Sequence, residues 1–122
     1  MISVILSREE YLRAVSCTVE FLKSKGLINL QVSYGFDCNC PNEQLFQNVE
    51  LPLDRLVSFI GESEEAGYYT AGANELHVTD VKRNFELTLC HESDIHFTSN
   101  DLSLVADLGA VWRTNSIAIS KY

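Results

Sequence analysis

The period of the hydrophobic residues changes at Gly26, and this change constrains the fold more than any other feature of the sequence. Before Gly26, apolar side chains recur at helical spacing behind "SREE", a Ser-x-x-Glu pattern that is typical of a helix N-terminus. After Gly26, residues 28–36 alternate between apolar and polar, which predicts a strand with one face on a core and the other in water. Such a strand favours antiparallel pairing, because antiparallel sheets can leave one face solvated.

Two further helices are predicted along the chain. One starts at Pro52 and stops at Gly61, because proline fits the first turn of a helix and glycine favours its end. Its predicted inner residues are Leu53, Leu56, Val57 and Ile60. The other follows the capping sequence "SND" at residues 99–101. Its predicted buried residues are Leu102, Val105, Leu108 and Trp112.

Short β-branched or apolar stretches predict the remaining strands, at residues 2–6, 76–78, 85–89 and 95–97 and at the C-terminal "IAISKY". A long, glycine-rich acidic loop is predicted for residues 61–75. The length of 122 residues is typical of one domain. We therefore expect a single domain over residues 1–122, of the α+β class or a mixed-sheet α/β class, with about three helices packed on one mostly antiparallel sheet.

The negative charge is concentrated in the middle of the chain. The formal net charge is −8, and residues 37–80 contain nine acidic residues against Arg55 alone. A field of this sign repels nucleic acids and anionic membranes and attracts a basic partner. The sequence has neither an apolar run of membrane-spanning length nor a secretory signal, so we expect no membrane contact and a cytoplasmic location. The four cysteines are then expected to be thiols.

The segment "LTLCHESDIHF" at residues 87–97 concentrates residues that bind metals or catalyse reactions. Its alternation fails at His91 and Ser93, so "HESD" is interpreted as a turn between two strands. Neighbouring strand residues point to opposite faces, so Cys90 and His91 are not expected to form a catalytic dyad. Cys38 and Cys40 lack the spacing of common zinc knuckles. With no nucleotide-binding or hydrolase motif either, the sequence predicts no catalytic residue, no metal and no cofactor.

The layout of the second half resembles a known class of proteins. "LPLDRLVSFI", an acidic Gly/Tyr loop, a strand running into "CHESDIHF" and a helix ending in "AVW" follow one another over residues 49–113. This order resembles the small immunity proteins of bacterial polymorphic toxin systems, such as contact-dependent growth inhibition. The resemblance implies a cytosolic, non-enzymatic protein that is encoded beside a toxin and blocks its toxic domain, which is often a nuclease with a basic cleft.

A partner-facing surface follows from this hypothesis and from the acidic middle of the chain. Carboxylates there would occupy the Lys and Arg side chains that a nuclease cleft presents to phosphates. Two tyrosines would anchor the contact and slow its release. The predicted partner-binding residues are Asp54, Glu62, Glu64, Glu65, Tyr68, Tyr69, Glu75 and Asp80.

Two other hypotheses remain open from the sequence. The main alternative is a small metal-binding or Cys/His-dependent enzyme or regulator. It would use Cys38, Cys40, Cys90, His91 and His96. The second is a small-molecule-binding module in which Trp112, Tyr68 and Tyr69 line a pocket.

Overall fold

A seven-stranded antiparallel sheet packs against three α-helices in the computed structural model, which describes residues 1–34, 47–82 and 84–122. The strands are β1 (Ile2–Ser3), β2 (Asn29–Tyr34), β3 (Gln47–Pro52), β4 (Leu76–Thr79), β5 (Phe85–Leu89), β6 (Ile95–Ser99) and β7 (Ile119–Lys121). The helices are α1 (Arg8–Ser24), α2 (Leu56–Glu65) and α3 (Leu102–Thr114), and a 3-10 turn, Leu53–Arg55, leads into α2. The predicted α+β single domain is confirmed.

The spatial order of the strands is β3-β2-β4-β5-β6-β1-β7. Every neighbouring pair is antiparallel, including β1 with both β6 and β7. Strands β2, β4, β5 and β6 follow the predicted positions closely. Strand β1 is shorter than its predicted range of residues 2–6, and residues 35–36 of the second predicted strand lie outside the described residues.

Helix α1 forms as its sequence predicts. The Ser7 Oγ accepts from the Glu10 backbone N–H at 3.2 Å, and the Glu10 carboxylate accepts from the Ser7 N–H at 3.0 Å. This reciprocal pair satisfies two of the backbone donors that a helix start leaves without partners. Behind it, Tyr11, Val15 and Leu22 are buried on the sheet side.

Strand β3 is absent from the sequence prediction, which placed the start of a helix at Pro52. Residues 49–51 are too short a run to indicate a strand alone, and β3 depends on its pairing with β2 over six positions. Pro52 ends this strand instead of opening the helix. It is tolerated there because β3 is an edge strand, where a missing N–H breaks no ladder.

The predicted helix stop at Gly61 is also wrong, because α2 continues to Glu65. A glycine inside a helix costs only about 1 kcal/mol, which burial of Leu56 and Ile60 offsets. The connecting loop therefore covers residues 66–75, and Glu75 is its one acidic residue, because Glu62, Glu64 and Glu65 belong to α2. Two predicted core residues are exposed, Val57 at 40% and Leu102 at 79%. Val57 lies beside the buried stripe of its helix, and Leu102 stands in the first turn of α3.

The sheet has one apolar face under the helices and one polar face that the helices of the described ranges leave uncovered. On the apolar face, Leu30, Val32, Leu76, Val78, Leu89, Ile95 and Phe97 are fully buried. We call the other side the open face, and define it by the outward side chains of β2 to β6. These are Asn29, Gln31, Ser33, Asn48, Glu50, Pro52, His77, Thr79, Glu86, Thr88, His96 and Thr98. No Lys or Arg occurs among these outward residues.

Candidate functional site

The turn between β5 and β6 brings together the side chains of the Cys-His segment. The Cys90 N–H donates to the Asp94 carbonyl at 3.0 Å, and the Ser93 N–H donates to the Cys90 carbonyl at 3.3 Å. Ser93 has a φ of 65°, so the three-residue loop is a turn that ends in a left-handed residue. The predicted "HESD" turn is confirmed, and it explains why the alternation fails at His91 and Ser93.

Because Cys90 and Asp94 face each other across the hairpin, their side chains lie on the same side of the sheet as His96. The His96 Nε2 and the Asp94 Oδ2 are 2.9 Å apart. One thiol sulfur, one carboxylate oxygen and one imidazole nitrogen from these three residues lie within 4.8 Å of one another. Glu75, Cys90 and His91 form a second group of this kind, which shares the same thiol. We call the five residues Glu75, Cys90, His91, Asp94 and His96 the Cys90 cluster.

Glu75 extends this cluster along the open face. Its carboxylate lies 3.2 Å from the His91 Nδ1 and 3.6 Å from the His77 Nε2. The His77 Nδ1 in turn lies 3.3 Å from the Glu86 carboxylate. All three histidines of the chain therefore contact carboxylates at one end of the open face.

Burial dominates the electrostatics of Cys90. Cys90 is 5% exposed, and burial raises the pKa of its thiol to about 11. Burial also acts to raise the pKa of Asp94, but interactions with the Cys90 thiol and the His96 ring outweigh it and leave that pKa below the ordinary value. The thiol of the metal-free protein is thus protonated at neutral pH, which disfavours a nucleophilic role, since the thiolate is the reactive form.

The expected separation of Cys90 from His91 needs correction. Their Sγ and Nδ1 atoms are 3.9 Å apart, at the long limit for a hydrogen bond to sulfur. His91 belongs to the turn and not to a strand, so strand geometry does not direct its ring away from the thiol. Cys38 and Cys40, the other two thiols of the alternative hypothesis, lie outside the described residues.

Most carboxylates of the predicted acidic surface on α2 and the preceding 3-10 turn are paired with cations. Asp54 lies 3.1 Å from the Lys23 Nζ, and Glu62 lies 3.1 Å from the Arg55 guanidinium. Glu64 is paired with Arg8 through two bonds of 2.7 and 2.8 Å. Glu65 is exposed, and the described part of the chain gives it no ion pair.

Several predicted surface residues belong to the interior instead. Tyr69 is 2% exposed and Asp80 is 6% exposed, which corrects their expected placement on a partner-facing surface. Asp80 accepts from the Asn84 backbone N–H at 2.6 Å and from its side-chain amide at 2.8 Å, so it holds the β4–β5 turn. Tyr68 is half-buried against the core. Trp112 is fully buried, so Trp112 and Tyr69 are core residues and not the lining of an open pocket.

The open face carries acidic residues that the sequence analysis did not single out. Glu50 is exposed, and the Glu86 side chain is 52% exposed. The paired positions Glu50–Gln31, Gln31–Thr79 and Thr79–Glu86 place both carboxylates in one cross-strand row. A shallow groove of about 390 Å³ runs along this row, lined in part by Gln31, Thr79 and Glu86. The polar alternation of each strand was visible in the sequence, but the register that aligns the strands was not.

Comparison of the chain with protein-family models, with curated proteins and with solved structures finds no significant match. Among the helices in the described ranges, none is long and apolar enough to cross a lipid bilayer. The functional argument therefore rests on the geometry of the chain itself.

Proposed function

We propose that this protein is a cytoplasmic immunity protein that binds a basic toxin domain, such as a nuclease, and blocks it without catalysis. The observation that carries the proposal is the open face, a sheet surface that none of the helices in the described ranges covers, which exposes Glu50 and Glu86 and has no Lys or Arg among its outward residues. Such a surface repels nucleic acids and anionic lipids and attracts a basic cleft.

Charge pairing favours the open face over α2 as the contact surface. Asp54, Glu62 and Glu64 already face Lys23, Arg55 and Arg8, so much of the negative charge around α2 is compensated within the protein. On the open face, the ion-pair partner of Glu86 is His77, and those of Glu75 are His77 and His91. The partner-binding surface is accordingly centred on Glu50, Glu75 and Glu86, and the surface around Glu62 and Glu65 is the competing location.

The geometry of the open face suits a cleft that binds a phosphate backbone. Glu50 and Glu86 lie three strand spacings apart, or about 14 Å, with amide and hydroxyl side chains between them. Lys and Arg side chains that normally contact successive phosphates can pair with these carboxylates. When these Lys and Arg side chains are paired with carboxylates, they cannot bind phosphates, so the nucleic acid is excluded. The inhibitor does not have to resemble the bases.

The direct test uses the product of the gene adjacent to the one that encodes this protein. Its C-terminal domain is expressed under tight control, alone and together with this protein, and growth, nuclease activity and complex formation on gel filtration are measured. We expect growth arrest by the domain alone, and rescue with a stable complex when both are present. A neighbouring product that is not toxic, or that this protein neither binds nor inhibits, contradicts the proposed function.

A further inference from the structure

We propose that Cys90, Asp94 and His96 form a binding site for Zn²⁺, independent of the proposed immunity function. The three residues offer a thiol sulfur, a carboxylate oxygen and an imidazole nitrogen, which are the ligand types that zinc takes in proteins. The three donor atoms lie within 4.8 Å of one another. Zinc binding would require the three side chains to rotate until these atoms reach bonding distances of roughly 2.0–2.3 Å around one ion.

The backbone that carries the three ligands is held in place before any metal binds. The Cys90 N–H bond to the Asp94 carbonyl closes the hairpin beside the site. The β5–β6 register then pairs Leu89 with Ile95 and Thr88 with His96. Ligands on paired strands are positioned more accurately than ligands on loops, so little ordering is needed when the ion binds.

An oxygen of Asp94 gives an independent indication of a ligand. The Asp94 Oδ2 contacts His96, whereas the Asp94 Oδ1 is buried and, apart from the interaction of this carboxylate with the Cys90 thiol, has no hydrogen-bond partner in the described part of the chain. Buried carboxylate oxygens are usually satisfied by a donor or a cation. A Zn²⁺ ion between Asp94, Cys90 and His96 would supply the missing interaction.

The chemistry of binding is balanced by the release of one proton. The Cys90 thiol loses its proton to the solvent as the Zn–S bond forms, Asp94 binds as a carboxylate, and neutral His96 binds through one ring nitrogen. The fourth position of a tetrahedral zinc is left to water. His96 is 35% exposed at its side chain, so this ligand is accessible from solvent.

The second group around the same thiol is a weaker site. His91 is 49% exposed at its side chain, and Glu75 is shared between His91 and His77. A metal at Glu75, Cys90 and His91 would have to separate Glu75 from His77. The triad with Asp94 and His96 requires no change outside the hairpin.

The test begins with the full chain, stripped of metal by a chelator, and uses Co²⁺ as a spectroscopic probe before Zn²⁺. We expect one Co²⁺ per chain, a thiolate-to-cobalt charge-transfer band, and displacement of Co²⁺ by Zn²⁺. Cys90→Ser should abolish the charge-transfer band, and Asp94→Asn and His96→Gln should each weaken Zn²⁺ binding by at least about 100-fold. Zn²⁺ should raise the melting temperature of the unsubstituted protein and leave that of Cys90→Ser unchanged.

Matched controls decide where the metal binds. His77→Gln, Cys17→Ser and the double variant Cys38→Ser/Cys40→Ser should bind Co²⁺ with the same spectrum as the unsubstituted protein. Each variant is first checked for a native circular dichroism spectrum in chelator, and the nearly isosteric Asp94→Asn keeps the test decisive if Cys90→Ser does not fold. The proposal is overturned if the chain binds no Co²⁺, if the Cys38/Cys40 variant loses the band, or if His91→Gln weakens binding while His96→Gln does not.

Discussion

Arg8 and Glu64, which are 56 positions apart in the sequence, form a two-point ion pair between the first turn of α1 and the last turn of α2. The Glu64 carboxylate also accepts from the Ala71 backbone N–H at 3.1 Å, so it holds the following loop as well. The Glu64 side chain is only 17% exposed. Glu64 is therefore a structural carboxylate in a segment that the sequence predicted to face a partner.

We expect Glu64→Gln to lower the free energy of unfolding at neutral pH by about 1 kcal/mol, a value discounted because Arg8 is exposed. The hydrogen bond from Arg8 lowers the pKa of Glu64, although burial opposes this effect. A lowered pKa contributes stability above the unfolded value of about 4.3 and loses it as the pH falls through the folded value. Urea unfolding from pH 7 to pH 3 should show the two proteins converging in acid.

Glu62→Gln is the matched control, since the Glu62–Arg55 pair is exposed on both sides. It should change the free energy of unfolding by less than about 0.5 kcal/mol. An equal loss in both variants would mean that Arg8 and Glu64 contribute no more than an ordinary surface pair.

The core contains a polar contact that should be sensitive to substitution. The Trp112 Nε1 donates to the Thr18 Oγ1 at 2.9 Å, and the Thr18 hydroxyl donates to the Ala14 carbonyl. Thr18→Val leaves the buried indole N–H without an acceptor, and we expect a loss of about 1–3 kcal/mol. Thr18→Ser retains the hydroxyl and should lose less. Fluorescence of Trp112, the one tryptophan of the chain, reports urea unfolding of both variants directly.

Gly61 offers a stabilising substitution. It lies inside α2, and a Cβ added there meets no atom within 4 Å. Gly61→Ala should raise the free energy of unfolding by about 0.5–1 kcal/mol, because alanine loses less backbone freedom on folding. Gly67 has a φ of 81°, so Gly67→Ala should lower stability by about 1 kcal/mol. Thermal unfolding of both variants separates the effect of helix propensity at Gly61 from that of turn geometry at Gly67. If Gly61→Ala lowers the stability, residue 61 does not lie inside a continuous α2 helix.

Charge substitutions on the two sides of the sheet distinguish the candidate contact surfaces. The double variant Glu50→Gln/Glu86→Gln should slow association with the toxin domain by about 10-fold at low salt. At high salt the association rates of the variant and the unsubstituted protein should converge, because screening removes the attraction. Glu62→Gln/Glu65→Gln removes the same formal charge from α2 and should have a smaller effect. Stopped-flow association rates at several salt concentrations provide the measurement. A larger effect from the α2 variant would place the contact on the surface that the sequence predicted.

Local sequence signals predicted the elements whose formation depends on local interactions. The capping box fixed the start of α1, and the failed alternation at His91 and Ser93 located the β5–β6 turn. Strand β3 was missed because its formation depends on pairing with β2. The burial of Tyr69 and Asp80 also depends on contacts with distant residues. The spacing of hydrophobic residues along the sequence does not show where a loop folds back onto the core.

The candidate metal site also combines a feature that is visible in the sequence with one that depends on the fold. The sequence places Cys90, Asp94 and His96 within seven residues. Only the three-residue turn sets Cys90 directly opposite Asp94, with His96 two residues farther along the same strand. The metal-binding alternative from the sequence named Cys90 and His96 but not Asp94, because the approach of Asp94 to the other two depends on the length of the loop.

The position of β1 between β6 and β7 has a consequence for synthesis on the ribosome. β1 is translated first, yet Ile2 pairs with His96 on one side and with Lys121 on the other. The neighbouring hairpins β2–β3, β4–β5 and β5–β6 connect residues that leave the ribosome close together in time. A nascent chain can thus form the centre of the sheet early, while β1 must wait for partners that emerge roughly a hundred residues later. The final closure of the sheet is in this way coupled to translation of residues 119–121, and a stalled chain leaves an unpaired strand for chaperones to cover.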